Sequence, residues 1–286
     1  MTTVVILTRF SLINHRISHS WKSSRVTGTD NDYIRRILDP DRLSTRCKLF
    51  VDFSIPCLQD AVLRFPEISI KLLVHYSSLL PDSVTSVLTS AAKNHDWIYL
   101  KSVHPDDAYN LTGEISDVLS NATESPKDGV SIVPMMRLDD DDLLSPDYFS
   151  LLSKYIDPRF MGMTIHAPRG FEGLFDGEKF VCFSPLDAPK TGIGLAHLAG
   201  WDNAKNRLVT KYTLPPGKHK DTDLLAPVIL DGSIPVIFRT KHLHNDARAT
   251  VDGYHYSIDG LRSRFFKNEA EISTLLRHFP IFNEKL

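Results

Sequence analysis

Four consecutive carboxylates, Asp139, Asp140, Asp141 and Asp142, follow Arg137-Leu138 at the end of the apolar run from Val130 to Met136. Charges of one sign this close repel, so they stay folded only where solvent, a helix N-terminus or a cation neutralises them. They fall where a buried strand gives way to a new element. In open α/β sheets ligands bind there, outside the carboxyl ends of the strands. In extended chain alternate residues face the same way, so Asp139 and Asp141 project together. Two such oxygen ligands suit a hard divalent ion, Mg²⁺ or Mn²⁺, which in turn holds a diphosphate.

A competing reading uses the same residues as caps. Asp is a favoured helix N-cap, and the segment from Asp142 to Phe149 reads as a helix start with Pro146 near its first turn. One or two of the four aspartates fit that role, but not all four. An EF-hand calcium loop needs a Gly after its third acidic position and a closing Glu, and neither is present.

The elements that position this run are legible in outline. Val4 to Leu7 is an aliphatic stretch without polar alternation, the pattern of a strand buried on both faces. Ile68–Tyr76, Trp97–Lys101 and Val130–Leu138 read as further strands. Helical spacing spans Leu49 to Leu63, where Pro56 marks a kink or the true start. Helices are also predicted from Pro81 to Asn94 and from Asp106 to Leu119. The polar stretch from His15 to Asp41 reads as an ordered loop with short helical pieces, and Asn121 to Gly129 as a turn. Alternating strand and helix is the signature of a parallel α/β sheet. The second half changes character. Met161–Ala167 and Lys179–Ser184 are predicted to form a hairpin across the glycine-containing link Gly170–Gly177. Gly192–Ala199 reads as a short helix, Leu208–Thr210 as an edge pairing, and His219–Ile229 as a capped helix. Pro235–Arg239 reads as a last strand and Leu261–His278 as a C-terminal helix. With no repeat and no clear linker, the expectation is one domain over 1–286, with a nucleotide half to about residue 145 and an acceptor half from about 146.

Composition narrows the classes. The 286 residues carry a formal net charge of −2, which argues against general nucleic-acid binding. The N-terminus lacks the pattern of a signal peptide, and no apolar run approaches the length of a membrane span. Cys47, Cys57 and Cys182 have no metal spacing and cannot all pair with one another, so reduced thiols in a cytoplasmic protein are expected.

A strand, a paired-Asp motif and then a mixed sheet resemble the GT-A fold of nucleotide-sugar glycosyltransferases. Leu138 to Tyr148 resembles that family's Asp-X-Asp-Asp segment. The opening Ile6–Phe10 together with Arg137–Asp142 resembles a bacterial group of rhamnosyltransferases. The resemblance implies an α/β, Rossmann-like mixed sheet flanked by helices. It makes Asp139 and Asp141 the metal-and-nucleotide pair, with Asp142 as the third acid. Lys220-Asp221-Thr222-Asp223-Leu224 resembles the Glu-Asp-X-Asp segment of inverting members, with Lys220 in the Glu position. By that register Asp221 is the catalytic base and Asp223 its backup; the alternative makes Asp221 a helix cap. His244 with Asn245 resembles a His-X-Asn pattern that contributes a further metal or diphosphate ligand, with His242 as the alternate. Arg9 and Arg137 stand where a diphosphate lies in such folds, and a guanidinium binds phosphate in a bidentate way. Each is equally suited to a salt bridge with the Asp cluster. His75 ends the second strand, where stacking on the nucleotide base is expected, and Trp201 and the His166–Phe171 segment fall where the acceptor site is built.

The reading that follows is a metal-dependent glycosyltransferase using Mn²⁺ or Mg²⁺. It takes a nucleoside-diphosphate sugar and a glycan or lipid-linked acceptor, the last leaving room for peripheral membrane association. The alternatives are a metal-dependent phosphotransferase or phosphohydrolase, and a non-catalytic nucleotide-sugar-binding protein.

Overall fold

Val4 to Leu7 lacks polar alternation because both of its faces are covered. In the computed structural model, which describes residues 2–15, 30–108, 110–120, 129–245 and 269–283, this run is the centre of strand β1 (Thr2–Phe10). It is followed by α1 (Asp30–Ile37), α2 (Pro40–Leu49), α3 (Ile55–Arg64), β2 (Ile68–Ser77), α4 (Asp82–Lys93), β3 (Ile98–Val103), α5 (Leu111–Ser120) and β4 (Val130–Arg137). Val4, Ile6 and Phe10 pack with Leu43 of α2, Leu58 of α3 and Leu88 of α4. Val5 faces the other way, onto Ile115 and Leu119 of α5. β1 is parallel to β2 on one side and to β4 on the other, and β3 is parallel to β2.

The second half adds β5 (Leu143–Leu144), α6 (Asp147–Ser153), β6 (Thr164–His166), β7 (Arg169–Phe175), β8 (Phe180–Asp187), β9 (Leu195–Asp202), β10 (Arg207–Leu208), β11 (Val228–Leu230), β12 (Ile237–Lys241) and α7 (Glu269–His278). The main sheet runs β11-β6-β9-β4-β1-β2-β3, with β10 paired to β9; a second sheet runs β5-β12-β7-β8. β9 is antiparallel to β4 and β6, so the main sheet is mixed. This is the α/β mixed sheet flanked by helices that the GT-A resemblance implies. The acidic run lies between β4 of the main sheet and β5 of the second, so it is the crossover between them.

Several elements differ from the sequence expectation, each for a tertiary reason. The glycine-containing link is itself strand β7, and the hairpin is β7–β8 rather than one built from Met161–Ala167. Its glycines serve close approach, not a turn. A Cβ on Gly170 would lie 1.7 Å from the Ile237 carbonyl oxygen, and one on Gly173 would lie 2.5 Å from the Phe238 ring. Gly170→Ala is therefore expected to push β7 off β12 and to cost about 3 kcal/mol. A urea titration checks this, and an unchanged midpoint would contradict the packing. Gly192–Ala199 forms no helix; its second part is the start of β9. Leu195 to Trp201 is buried throughout because both faces are covered, Ala196 and Leu198 in one core and Ala199 and Trp201 in another, which erases the alternation that marks a strand.

His219–Ile229 is a short 3₁₀ turn, His219–Leu224, followed by β11. No α-helix follows for Asp221 to cap. Asp142 likewise starts no helix: β5 intervenes, and α6 begins at Asp147. Pro56 lies just after a π-helical turn, Phe50–Ser54, that joins α2 to α3. The wide turn accommodates the missing N–H and the ring of the proline. Leu208 pairs with β9 as an edge, as expected. The start of the predicted C-terminal helix and most of the 121–129 turn lie outside the described residues. α7 places Leu275 and Phe279 against Phe171, Phe238 and Phe282, a phenylalanine-rich core under the second sheet. Among the described residues no helix is long and apolar enough to cross a membrane.

Candidate active site

β1 and β4 lie side by side and parallel, and their carboxyl ends carry Arg9 and Arg137. β2 and β3 extend to one side of β1 and β4 to the other, the topological switch point at which open α/β sheets open a crevice. The acidic run follows β4 at this switch point, and its four members have different environments. Asp139 is half exposed, whereas Asp140, Asp141 and Asp142 are 2%, 6% and 9% exposed.

The buried aspartates are tied to three distant segments. Asp140 accepts from the Ser11 backbone N–H at 3.3 Å and from the Arg46 guanidinium. Asp141 lies 3.0 Å from Arg46 through one oxygen. Its other oxygen is 3.0 Å from both His242 Nε2 and Asn245 Nδ2. Asp142 accepts the backbone N–H of Thr240 in β12 at 3.1 Å. Arg46, Arg42 and Arg239 stand against these three carboxylates, and burial sets how far each is compensated. Burial pushes Asp140 up to about 6 against the pull of Arg46, and burial with the Asp141 charge raises Asp142 well above the usual carboxylate range. Asp141 is held well below that range by Arg46 and His242 in spite of its burial.

Arg46 was not singled out from the sequence. Its signal lies in α2, where Arg42 and Arg46 are one helical turn apart on the face that buries Leu43 and Leu49. Two arginines on a buried face require hydrogen-bond acceptors or carboxylates opposite them. Arg42 donates to Ser11 Oγ at 2.9 Å, so it holds the loop that leaves β1. Ser11 itself has a left-handed backbone, φ 42°, which turns its N–H toward Asp140.

On the exposed side, Arg137 Nε is 3.6 Å from Asp139, and its guanidinium also contacts His219 Nε2. His219 opens the 3₁₀ turn that carries Asp221 and Asp223. Burial, Arg137 and Arg9 together push His219 down to about 4, so the ring is neutral near pH 7. Asp221 is half-buried, whereas Asp223 is exposed and paired to Lys190 Nζ at 2.8 Å.

This geometry meets three comparisons. A family model described as "Putative rhamnosyl transferase" matches residues 3–254. The chain belongs to that family. It is therefore a glycosyltransferase. No curated protein matched the chain. Among solved structures, S. aureus TarS 1–349 in complex with UDP-GlcNAc is 10% identical, with a TM-score of 0.34 over 99% of this chain and 73% of that one. The mannosyltransferase PcManGT from Pyrobaculum calidifontis, in complex with GDP-Man and Mn²⁺, is 12% identical, with a TM-score of 0.35 over 89% of this chain and 59% of that one.

Whether a divalent ion suits this rhamnosyl transferase family member is a question of its donor atoms. Among the described residues no group of three carboxylate, imidazole or thiol side chains forms a ready cation site. Mg²⁺-type sites often use one or two carboxylates and complete the shell with substrate phosphates and water. Asp141 Oδ2 and His242 Nε2, 3.0 Å apart, form an oxygen–nitrogen pair. Asp139 does not project with Asp141 as extended chain would have it: the run turns, with the Asp142 N–H on the Asp139 carbonyl, and Asp139 is left on the exposed side beside Arg137. His242 Nδ1 has no hydrogen-bond partner among the described residues. A cation beside this pair would also favour the ionised form of Asp142, which burial pushes up, so the residues fit one.

Three expected contacts are placed differently. His242, not His244, reaches Asp141; His244 is half-buried, its ring centroid 6.4 Å from that of His242. The backbone reverses after β12 because Asn245 Oδ1 accepts the His242 N–H at 2.8 Å, which leaves His242 on the inner side. His75 is fully buried and lies 2.5 Å from Glu114 of α5. Its ring presents no exposed face for stacking on a base. Trp201 is a packing residue of β9 against Val5 and Leu119, with its indole N–H on Asn206.

Proposed function

We propose that this glycosyltransferase moves a hexosyl or deoxyhexosyl group from a nucleoside-diphosphate donor to a hydroxyl of a glycan or lipid-linked acceptor, with inversion at the anomeric carbon. The observation that carries the reading is the placement of two arginines and an acid–imidazole pair at the carboxyl ends of adjacent parallel strands. Arg9 and Arg137 end the paired strands β1 and β4, and the Asp141–His242 pair follows on the same crossover. The guanidiniums suit the phosphate oxygens. Asp141 and His242 would hold a divalent ion, its other positions left to diphosphate oxygens and water, with Asp142 behind them on the Thr240 N–H. When bound, that ion supplies Lewis-acid stabilisation of the leaving diphosphate. Asp221 takes the proton of the acceptor hydroxyl as general base, on the turn that His219 docks against Arg137. The first half of the chain, to about residue 145, binds the nucleotide, and the second half presents the acceptor within one domain.

A thermal-shift screen of nucleoside diphosphates and nucleotide sugars, with and without Mn²⁺, tests this. A ligand that binds only the folded state raises its melting temperature. The expected result is a Mn²⁺-dependent shift with one base, and no shift with any nucleotide overturns the reading. Asp141→Asn removes one of the two paired ligands and is expected to abolish the Mn²⁺ dependence. Unchanged Mn²⁺-dependent affinity would sink the metal assignment.

A further inference from the structure

The contact between Arg137 and His219 joins two parts of the site that are 82 residues apart in sequence. Arg137 ends β4 on the donor side, and His219 opens the turn that carries Asp221 on the acceptor side. We propose that His219 is a positioning residue, a hydrogen-bond acceptor that fixes the Arg137 guanidinium toward the donor diphosphate and so couples donor binding to placement of the base-bearing turn. This rests on the donor reading above.

The chemistry of the contact has one direction. A guanidinium only donates, so Nε2 of His219 accepts and the ring proton sits on Nδ1. With Asp139 on its Nε edge at 3.6 Å and His219 on a terminal nitrogen, the plane of Arg137 is held from two sides. The neutral ring described above agrees with an accepting Nε2.

A second, independent observation is the floor beneath the imidazole. A Cβ on Gly192 would stand 3.0, 3.3 and 3.4 Å from Nε2, Cδ2 and Cε1 of His219. The ring thus lies against the bare α-carbon of Gly192. The loop that carries Gly192 is itself anchored. Lys190 N donates to His166 Nδ1 at 3.2 Å, Thr191 Oγ1 accepts from Arg239 at 2.8 Å, and Lys190 Nζ pairs with Asp223. Lys190 takes a left-handed backbone, φ 55°, to make these contacts. A glycine, an anchored loop and an arginine therefore surround one imidazole.

The test is calorimetry of UDP, GDP, dTDP, CDP and ADP with Mn²⁺ on the full chain, followed by the monophosphate of whichever base binds. His219→Phe keeps a flat ring over Gly192 and loses the acceptor. It is expected to weaken the diphosphate at least 10-fold while the monophosphate changes less, so the ratio of the two affinities falls. His219→Gln, which retains an acceptor, is expected to recover part of the loss. Arg137→Met added to His219→Phe is expected to add little. Gly192→Ala keeps the imidazole but pushes its ring off the position that meets Arg137, and the same fall in ratio is expected; it serves if His219→Phe does not fold. If His219→Phe, or Gly192→Ala in its place, preserves the ratio within twofold while the wild type binds, the positioning role is overturned and the donor reading stands. If the wild type binds no nucleoside diphosphate, both fall.

Discussion

Arg46→Met is expected to destabilise the protein by about 3–5 kcal/mol, the largest effect of any single change at the site. Arg46 is buried and meets two buried carboxylates, Asp140 and Asp141. Taking the guanidinium away leaves Asp140 with only the more distant Arg42, and Asp141 with Arg42, His242 and Asn245, and an under-compensated buried charge costs far more than a lost surface ion pair. Methionine keeps most of the aliphatic volume, so the loss is electrostatic rather than a cavity. The expectation has a sharper form. Asp140→Asn in the Arg46→Met background should regain part of the stability, because it removes a carboxylate that has lost its partner. Denaturant titrations of the two single variants and the double variant close the cycle. A fully additive double variant would mean that Arg46 acts through its packing alone. Loss of Arg46 should also reduce Mn²⁺-dependent nucleotide affinity, since Asp141 loses one of the contacts that orient it.

Asp221→Asn is expected to lower turnover by about 10²–10⁴-fold, the usual contribution of a general base. Nucleoside-diphosphate affinity should stay within about twofold. The substitution is isosteric and the residue is half-buried in a 3₁₀ turn with no helix to cap, so the fold should tolerate it. Release of nucleoside diphosphate from the donor found by the thermal-shift screen, measured alongside calorimetric affinity, separates the two effects. Persistent turnover would move the base elsewhere. Asp223 is the next carboxylate in the turn, although its pairing with Lys190 makes it less available as a proton acceptor.

Local pattern carried a large part of this molecule. The aliphatic runs at Val4, Ile68 and Val130 named three adjacent parallel strands, because burial on two faces requires unbroken apolar sequence. The acidic run marked the crossover at a strand's end as the candidate site, because four adjacent carboxylates repel unless something neutralises them. What sequence could not show was which distant groups come to that site. Arg46 arrives from a helix about 90 residues earlier, and His242 from a strand about 100 residues later. Which of the two neighbouring histidines turns inward depends on one Asn245 hydrogen bond after β12. The glycines of β7 read as a turn because a single chain records only conformational freedom. Their purpose, the close approach of Ile237 and Phe238, exists only once β12 is alongside. Periodicity reports how each segment is covered, whereas the pairing of segments and the partners of a buried charge are set by contacts that only the folded chain makes.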